Sequence, residues 1–308
     1  MRPYLICSLT LLAWVSPLPP ARAAGPDEED VARRVRELGA SVVRDKDDEG
    51  FPRFGVRYPL LARRAETCRL EGIRAVDAVQ DVHVLELGGL SLVANDLGEL
   101  KGMRSLQVLN LAYSRNADRS LGAMPNLPAL QTLNFSGSDA TDAGLGRLPA
   151  MKGLRTLDLS DTAVTDAGAK GLIKRPGLQR LDLSGTRVTD AGMNSLGELA
   201  DLRRLDLCGT RVTDAGMKAL AGLKKLQSLN LSGTAVSDAG VRELRGLGDL
   251  RDLYLIRCRV TDEGLRSVAG LGRLRFVNLG ATRVTEAGVA DLRKSLPECR
   301  IRYTRQKP

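Results

Sequence analysis

The chain has 308 residues, enough for one large domain or two ordinary ones. Hydrophobic residues make up 43% of it but aromatic residues only 3%, so its core must be aliphatic. The net charge of +9, carried mostly by Arg, favours acidic partners. The charge is spread along the chain and lacks the aromatic stacking platforms of single-strand binders, which argues against nucleic acid.

The first residues have the layout of an export signal. Arg2 supplies a positive start, "YLICSLTLLAWV" (4–15) a short apolar run, and Ala21-Arg22-Ala23 a cleavage site. Residues 1–23 are thus expected to be a signal peptide, removed near Ala23. The mature chain would start at Ala24 and act outside the cytoplasm, in a periplasm, on a surface or in the medium. The apolar run is well short of the ~20 residues that a span needs. Cys7 lies too early, after Ile6, for a lipoprotein anchor. No later run could cross a bilayer, so the mature chain is expected to have no membrane span. Residues 27–45 read as an amphipathic helix followed by a strand, and "FGVRY" (54–58) as its partner strand. With the irregular lead-in at 59–81, residues 24–81 form an expected N-terminal capping region.

From there one phrase recurs. "TRVTDAG" stands at 186–192 and 210–216, "TAVTDAG" at 162–168, "TAVSDAG" at 234–240 and "TRVTEAG" at 282–288. Aligned outward, the frame begins at Val82, Leu106, Leu130, Leu154, Leu178, Leu202, Leu226, Leu250 and Leu274, always 24 residues apart. A fixed period in the range of roughly 20–50 residues marks a solenoid. Residues 82–297 therefore hold nine repeats, the first ones degraded, with "SLVAND" in place of the phrase. Residues 298–308 supply a capping strand, "CRIRYT", and a charged tail.

Within a repeat the pattern changes period. In "LRRLDLCGT" (202–210), Leu205 and Leu207 alternate with Arg204, Asp206 and Cys208, as in a strand with one buried face. In "VTDAGMKALAGL" (212–223), Met217, Leu220 and Leu223 follow helical spacing. Thr213 or Asp214 is placed to cap the helix start, and Gly216 to let the helix approach its neighbour. The Thr or Ser at the ninth position (Ser138, Thr162, Thr186, Thr210, Thr234, Thr282) is expected to turn inward and satisfy loop backbone groups. No unit can bury its leucines alone, so the copies must stack.

The pattern L-x-x-L-x-L-x-x-T-x-V-T-D-A-G-φ-x-x-L-x-x-L resembles the leucine-rich repeat, in the variant whose second half carries "TD-x-G-L", over about residues 82–303. The resemblance implies an α/β solenoid: a right-handed arc with a concave parallel sheet and convex helices. It further implies a non-catalytic scaffold that binds a protein on its concave face. This repeat form is similar to exported bacterial repeats. It is also similar to the F-box substrate receptors, although no F-box-like helical module precedes the array.

Chemistry is scarce. His83 is the only histidine, and no P-loop or nucleophile-elbow motif occurs, so neither an enzyme nor a cofactor is expected. Cys258 holds the ninth position of its repeat and Cys208 the seventh of another, two coils away. At ~4.8 Å per coil they lie on the order of 10 Å apart, beyond the ~7 Å limit for a disulfide. Cys299 is likewise roughly two coils from Cys258, and Cys68 lies at the other end, so the thiols should be free. The fifth positions include Asp158, Asp182 and Asp206 in one column. Three stacked aspartates could join a Ca²⁺ site if other oxygens completed its six to eight ligands. The favoured reading is a solvated strand face, partly neutralised by Arg155, Arg180, Arg203 and Arg204.

The third, fifth and seventh positions face the concave side and are mostly small or polar. Tyr254, Ile256 and Phe276 break that pattern on neighbouring strands, with Arg257, Arg300 and Arg302 close by. An aromatic cluster rimmed by arginine has the make-up of an interface hot spot. The expected partner is an unidentified protein contacting these residues and the Asp158, Asp182 and Asp206 column of a monomeric chain. The alternative is an anionic glycan or envelope polymer bound through the Arg-rich faces, including Arg187, Arg211, Arg259 and Arg283 at the tenth position.

Overall fold

A computed structural model describes residues 41–46, 52–57, 83–89, 91–92 and 96–304. The signal-like segment, the part of 27–45 before Ser41 where the helix is expected, the lead-in at 59–81, Cys68 and the tail lie outside the described residues. The chain divides into two compact units, Met1–Asp139 and Ala140–Pro308, a division that the unbroken repeat register does not announce.

In the first unit, strand β1 (Ser41–Lys46) pairs antiparallel with β2 (Pro52–Arg57), Ser41 opposite Arg57. β2 then runs parallel to β3 (Val84–Glu86), followed by β4 (Val108–Asn110) and β5 (Thr132–Asn134). Leu85, Leu109 and Leu133 share one register and are buried, as are Leu87, Leu111 and Phe135. The degraded repeats have improvised helix starts. The short helix Ala117–Leu121 follows Asn116, whose left-handed backbone offers no side-chain cap. The Asp139 carboxylate, from the following repeat, accepts the Asn116 and Ala117 N–H groups instead, both at 2.7 Å.

The second unit is an α/β solenoid. β6 (Thr156–Asp158), β7 (Arg180–Asp182), β8 (Arg204–Asp206), β9 (Ser228–Asn230), β10 (Asp252–Tyr254), β11 (Phe276–Asn278) and β12 (Arg300–Arg302) pair in that order, all parallel and each one repeat on. Leu157, Leu181, Leu205, Leu229, Leu253 and Val277 form one buried column along the sheet. Opposite the sheet lie short helices, such as Asp190–Leu196 and Asp262–Val268, some continuing as a tighter turn, as at Lys218–Gly222.

The recurring phrase builds the helix starts, and both suggested caps operate, in different coils. Thr213 caps its own helix, its hydroxyl accepting the Ala215 N–H at 3.3 Å. Asp214 does not serve its own helix. Its carboxylate accepts the Ser237 N–H (2.7 Å), the Ser237 hydroxyl (2.5 Å) and the Gly240 N–H (2.9 Å) of the next coil. Asp190 does the same for Thr213 and Gly216, and Asp142, Asp166 and Asp238 repeat the pattern. Each carboxylate thus satisfies orphan donors at the positive end of its neighbour's helix. The glycine of the phrase leaves room for it: a Cβ on Gly216 would fall 2.6 Å from Asp190 Oδ1 and 2.9 Å from Met193 Cγ.

The ninth-position threonines turn inward as expected. Thr162, Thr186, Thr210, Thr234 and Thr282 each donate to the carbonyl three residues back, at 2.5–2.7 Å. Cys258, in the same column, donates its thiol to the Leu231 carbonyl at 3.0 Å. Cys208, Cys258 and Cys299 are buried free thiols, and burial pushes Cys258 up to about 11.

One core position departs from the pattern. Leu199, Leu223, Leu247 and Leu271 hold the last apolar site of their repeats, but Arg175 stands there in the repeat that starts at Leu154. Arg175 is 4% exposed. It donates to the carbonyls of Leu148 (2.9 Å), Pro149 (3.2 Å) and Gly171 (3.2 Å), while its Nε has no partner. Burial pulls its pKa down.

Two expectations follow for stability, both read by urea or thermal unfolding. Asp190→Ala and Gly216→Ala should each cost about 2–4 kcal/mol, the first by stranding three donors, the second by evicting the carboxylate; a loss below ~0.5 kcal/mol in both would show that the inter-coil cap is dispensable. Arg175→Leu should destabilise by about 1–3 kcal/mol by leaving the carbonyls of Leu148, Pro149 and Gly171 without their donor, and Arg175→Ala by more, because it also opens a cavity.

Candidate binding surface

In β6 to β11 the central residue is buried, in β12 Ile301 is half-buried, and the residues flanking these positions lie on the open side of the sheet. The third positions form the column Thr156, Arg180, Arg204, Ser228, Asp252, Phe276, Arg300. The fifth positions form a second: Asp158, Asp182, Asp206, Asn230, Tyr254, Asn278, Arg302. Along the fifth-position column the chemistry passes from carboxyl through amide and phenol to guanidinium.

The aspartate stretch is not the solvated face expected from the sequence. Asp158 is 4% exposed, which puts it out of a partner's reach. Its Oδ1 accepts the Ser160 N–H (2.9 Å) and hydroxyl (2.7 Å), and Asp182 accepts the same pair from Ser184 at 2.8 and 2.6 Å. Asp206 accepts the Cys208 N–H at 2.8 Å and the Asn230 amide at 2.9 Å. The expected neutralisation by Arg155 fails because its guanidinium turns to the carbonyls of Lys152, Leu154 and Gly177. Burial raises the pKa of all three aspartates. Asp182, between the other two, is pushed up to about 8 by burial and by the charges of Asp206 and Asp158. Among the described residues no group of three or more His, Cys, Asp or Glu side chains is arranged to hold a metal ion.

The aromatic stretch is assembled as the register requires. The Tyr254 and Phe276 rings lie 5.3 Å apart between centroids, tilted by 56°. Both are half-buried, as is Ile256. Arg300 stands beside Phe276 and Arg302 beside Asn278 on the edge strand, both exposed. Arg257 is exposed at the turn after β10, in the left-handed conformation (φ 60°) that Gly185, Gly209 and Gly233 adopt in earlier repeats. Asp252, half-buried, has its pKa raised by burial and lowered again by the charges of Arg204 and Arg251. Burial and the Asp252 charge raise the Tyr254 phenol.

Sequence reasoning overlooked Arg251 and Arg275, both exposed at the second position of the same repeats. It also overlooked Tyr113 in the first unit, which is 61% exposed. Tyr113 holds a left-handed backbone (φ 58°) where Gly89 and Gly137 stand in adjacent repeats, and a Cβ on Gly137 would fall 2.5 Å from its ring. A tyrosine in a glycine position was the available signal.

Models described as leucine rich repeat match residues 153–172, 178–197 and 200–260. No curated protein sequence matches the chain. Among solved structures, an internalin (inlF) from Listeria monocytogenes is similar at 17% identity and a TM-score of 0.51, covering 77% of each chain. A leucine-rich-repeat protein of Leptospira interrogans is similar at 18% identity and a TM-score of 0.47, over 74% of this chain and 68% of that one. An internalin C2 (inlC2) from Listeria monocytogenes is similar at 21% identity and a TM-score of 0.46, over 75% and 80%. The fold is the leucine-rich-repeat solenoid.

The stacked aspartates predict a pH dependence. The Asp182 carboxyl titrates near 8 when folded and near its ordinary 3.8 when unfolded. The folded state therefore holds more protons between those values, and the contribution is full below pH 3.8 and lost as pH rises through about 8. Asp182→Asn should gain on the wild type across that window, by an amount that the full shift bounds at about 6 kcal/mol and that solvent reaching this half-buried group reduces, then level off. Thermal unfolding from pH 4 to 9 checks this; parallel curves would mean that Asp182 titrates as an ordinary carboxyl.

Proposed function

We propose that this leucine-rich-repeat chain is an exported, non-catalytic scaffold that binds another protein through the open face of its sheet, centred on Tyr254, Ile256 and Phe276. The observation that carries the reading is the tilted aromatic pair beside Ile256, half-buried on a face that is otherwise small or polar. Such clusters supply most of the binding energy of protein interfaces, where Tyr, Trp and Arg are enriched. The repeats supply rigidity: the strands are locked by the parallel register and the helix starts by the inter-coil carboxylates. The internalins are similar in fold. Export rests on the signal-like residues 1–23, and among the described residues no helix is long and apolar enough to cross a membrane. The same proposal has capping regions at 24–81 and 298–308 around repeats at 82–297.

The test is affinity retention with the protein as bait, on envelope and secreted fractions of its source cell, beside a Tyr254→Ala/Phe276→Ala variant. A protein held by the wild type and lost by at least ten-fold in the variant is the expected result. Equal retention would move the contact elsewhere. Recovery of anionic polymer alone, released by salt, would favour a glycan-binding role.

A further inference from the structure

Around the aromatic pair positive charge outnumbers negative. Arg251, Arg257, Arg275, Arg300 and Arg302 are all exposed, and among the described residues none makes an ion pair or a side-chain hydrogen bond. Arginines elsewhere in the same unit do find partners: Arg242 pairs with Glu263 at 3.1 Å, and Arg273 with Asp249. Exposed arginines without such a partner also stand at the tenth position (Arg187, Arg211, Arg259 and Arg283), and what sets these five apart is that they lie around the apolar cluster of this face. The acidic groups whose charge reaches Tyr254 are Asp252 and Asp206. Asp252 is half-buried, and Asp206 is engaged by the Cys208 N–H and the Asn230 amide. Asp252 feels the charge of Arg251 and offsets it in part, which leaves Arg257, Arg300 and Arg302 as excess positive charge.

The geometry sets the occupant's dimensions. Strands β10 to β12 span about 10 Å at the spacing of a parallel sheet, which an extended chain crosses in about three residues. Arg251 and Arg275 precede the strands at one end, and Arg300 and Arg302 lie on the edge strand beside Phe276 and Asn278. An apolar side chain seated against Tyr254 and Phe276 would thus have guanidiniums on two sides of it. A second copy of this chain fits poorly, because its net charge is +9. A purely charged polymer would leave Tyr254, Ile256 and Phe276 without use.

Building on the protein-binding reading, we infer that the partner presents an extended acidic segment, in which an apolar anchor residue is flanked on both sides by carboxylates. The carboxylates meet Arg251 and Arg275 on one flank and Arg300 and Arg302 on the other, in the fork geometry that suits guanidinium to carboxylate. The anchor packs against the Tyr254–Phe276 pair and Ile256.

The test uses the full chain and fluorescence anisotropy at about physiological salt, near 0.15 M. The probe is a labelled synthetic peptide with a central phenylalanine-isoleucine pair flanked by glutamates. Two control peptides carry lysine for every glutamate, or serine for both apolar residues. The acidic, anchored peptide should bind at least ten-fold more tightly than either control. Its affinity should fall at least ten-fold in Tyr254→Ala/Phe276→Ala and in Arg275→Glu/Arg300→Glu, the second pair being exposed and expected to keep the wild-type Tm. Tighter binding of the lysine peptide, still dependent on Tyr254, would overturn the acidic assignment while sparing the protein-binding reading. Equal binding of the serine peptide or of a sulfated glycan, removed by salt, would replace the segment with an anionic polymer. No binding by any peptide would also overturn the inference, and the retention experiment would then judge the reading beneath it.

Discussion

The second unit depends on one interaction, a carboxylate that crosses from each coil to the next. The first N–H groups of a helix lack partners within that helix, and leaving them buried and unsatisfied costs more than an ordinary hydrogen bond gains. Helices of four to seven residues, such as Asp214–Met217, have little internal cooperativity to offset this. The array supplies the missing acceptor from outside: the Asp of one coil takes two backbone N–H groups and a hydroxyl of its neighbour. The recurring Thr, Asp and Gly are then three parts of one device. The hydroxyl caps locally, the carboxylate caps across, and the missing side chain makes room.

The sheet face turns the same translational symmetry to two ends. Equivalent side chains fall on neighbouring strands, so any property written into one position is amplified along the column. Three consecutive carboxyls become mutually repulsive and desolvated, held by Ser160, Ser184 and the Asn230 amide. An aromatic residue at the fifth position of one strand and another at the third position of the next bring two rings together across the columns, tilted by 56°. The single Asn230 separates these regimes, since its amide can donate to Asp206 on one side without adding charge beside Tyr254.

Much of this was legible in the sequence, because the leucine period fixes which residues are buried and which share a column. The strands, the inward threonines and the aromatic cluster all follow from counting. The choice between Thr213 and Asp214 as cap did not, because a carboxylate reaching its own helix and one reaching the next coil leave the same trace in the chain. The aspartates were misjudged for a related reason: alternation says which way a side chain points, but not how far its neighbours strip it of water. Arg175 was hidden because repeats tolerate irregular positions, and only the structure shows that its guanidinium ties together the carbonyls of Leu148, Pro149 and Gly171. The boundary at Asp139 left no mark on the register.

The cross-coil carboxylate has a bearing on how such a chain can change length over generations. From Asp142 to Asp238 each coil's carboxylate accepts from the next coil, with near-identical groups at each junction. A tandem duplication or deletion of 24 residues, wherever its breakpoints fall within the regular array, restores a matched junction at once. An insertion of a single residue shifts one carboxylate away from its donors and leaves both sides of the break unmatched. The genetic currency of this architecture is therefore the whole coil, and recombination between near-identical copies can lengthen or shorten the sheet without any intermediate that has lost its helix caps.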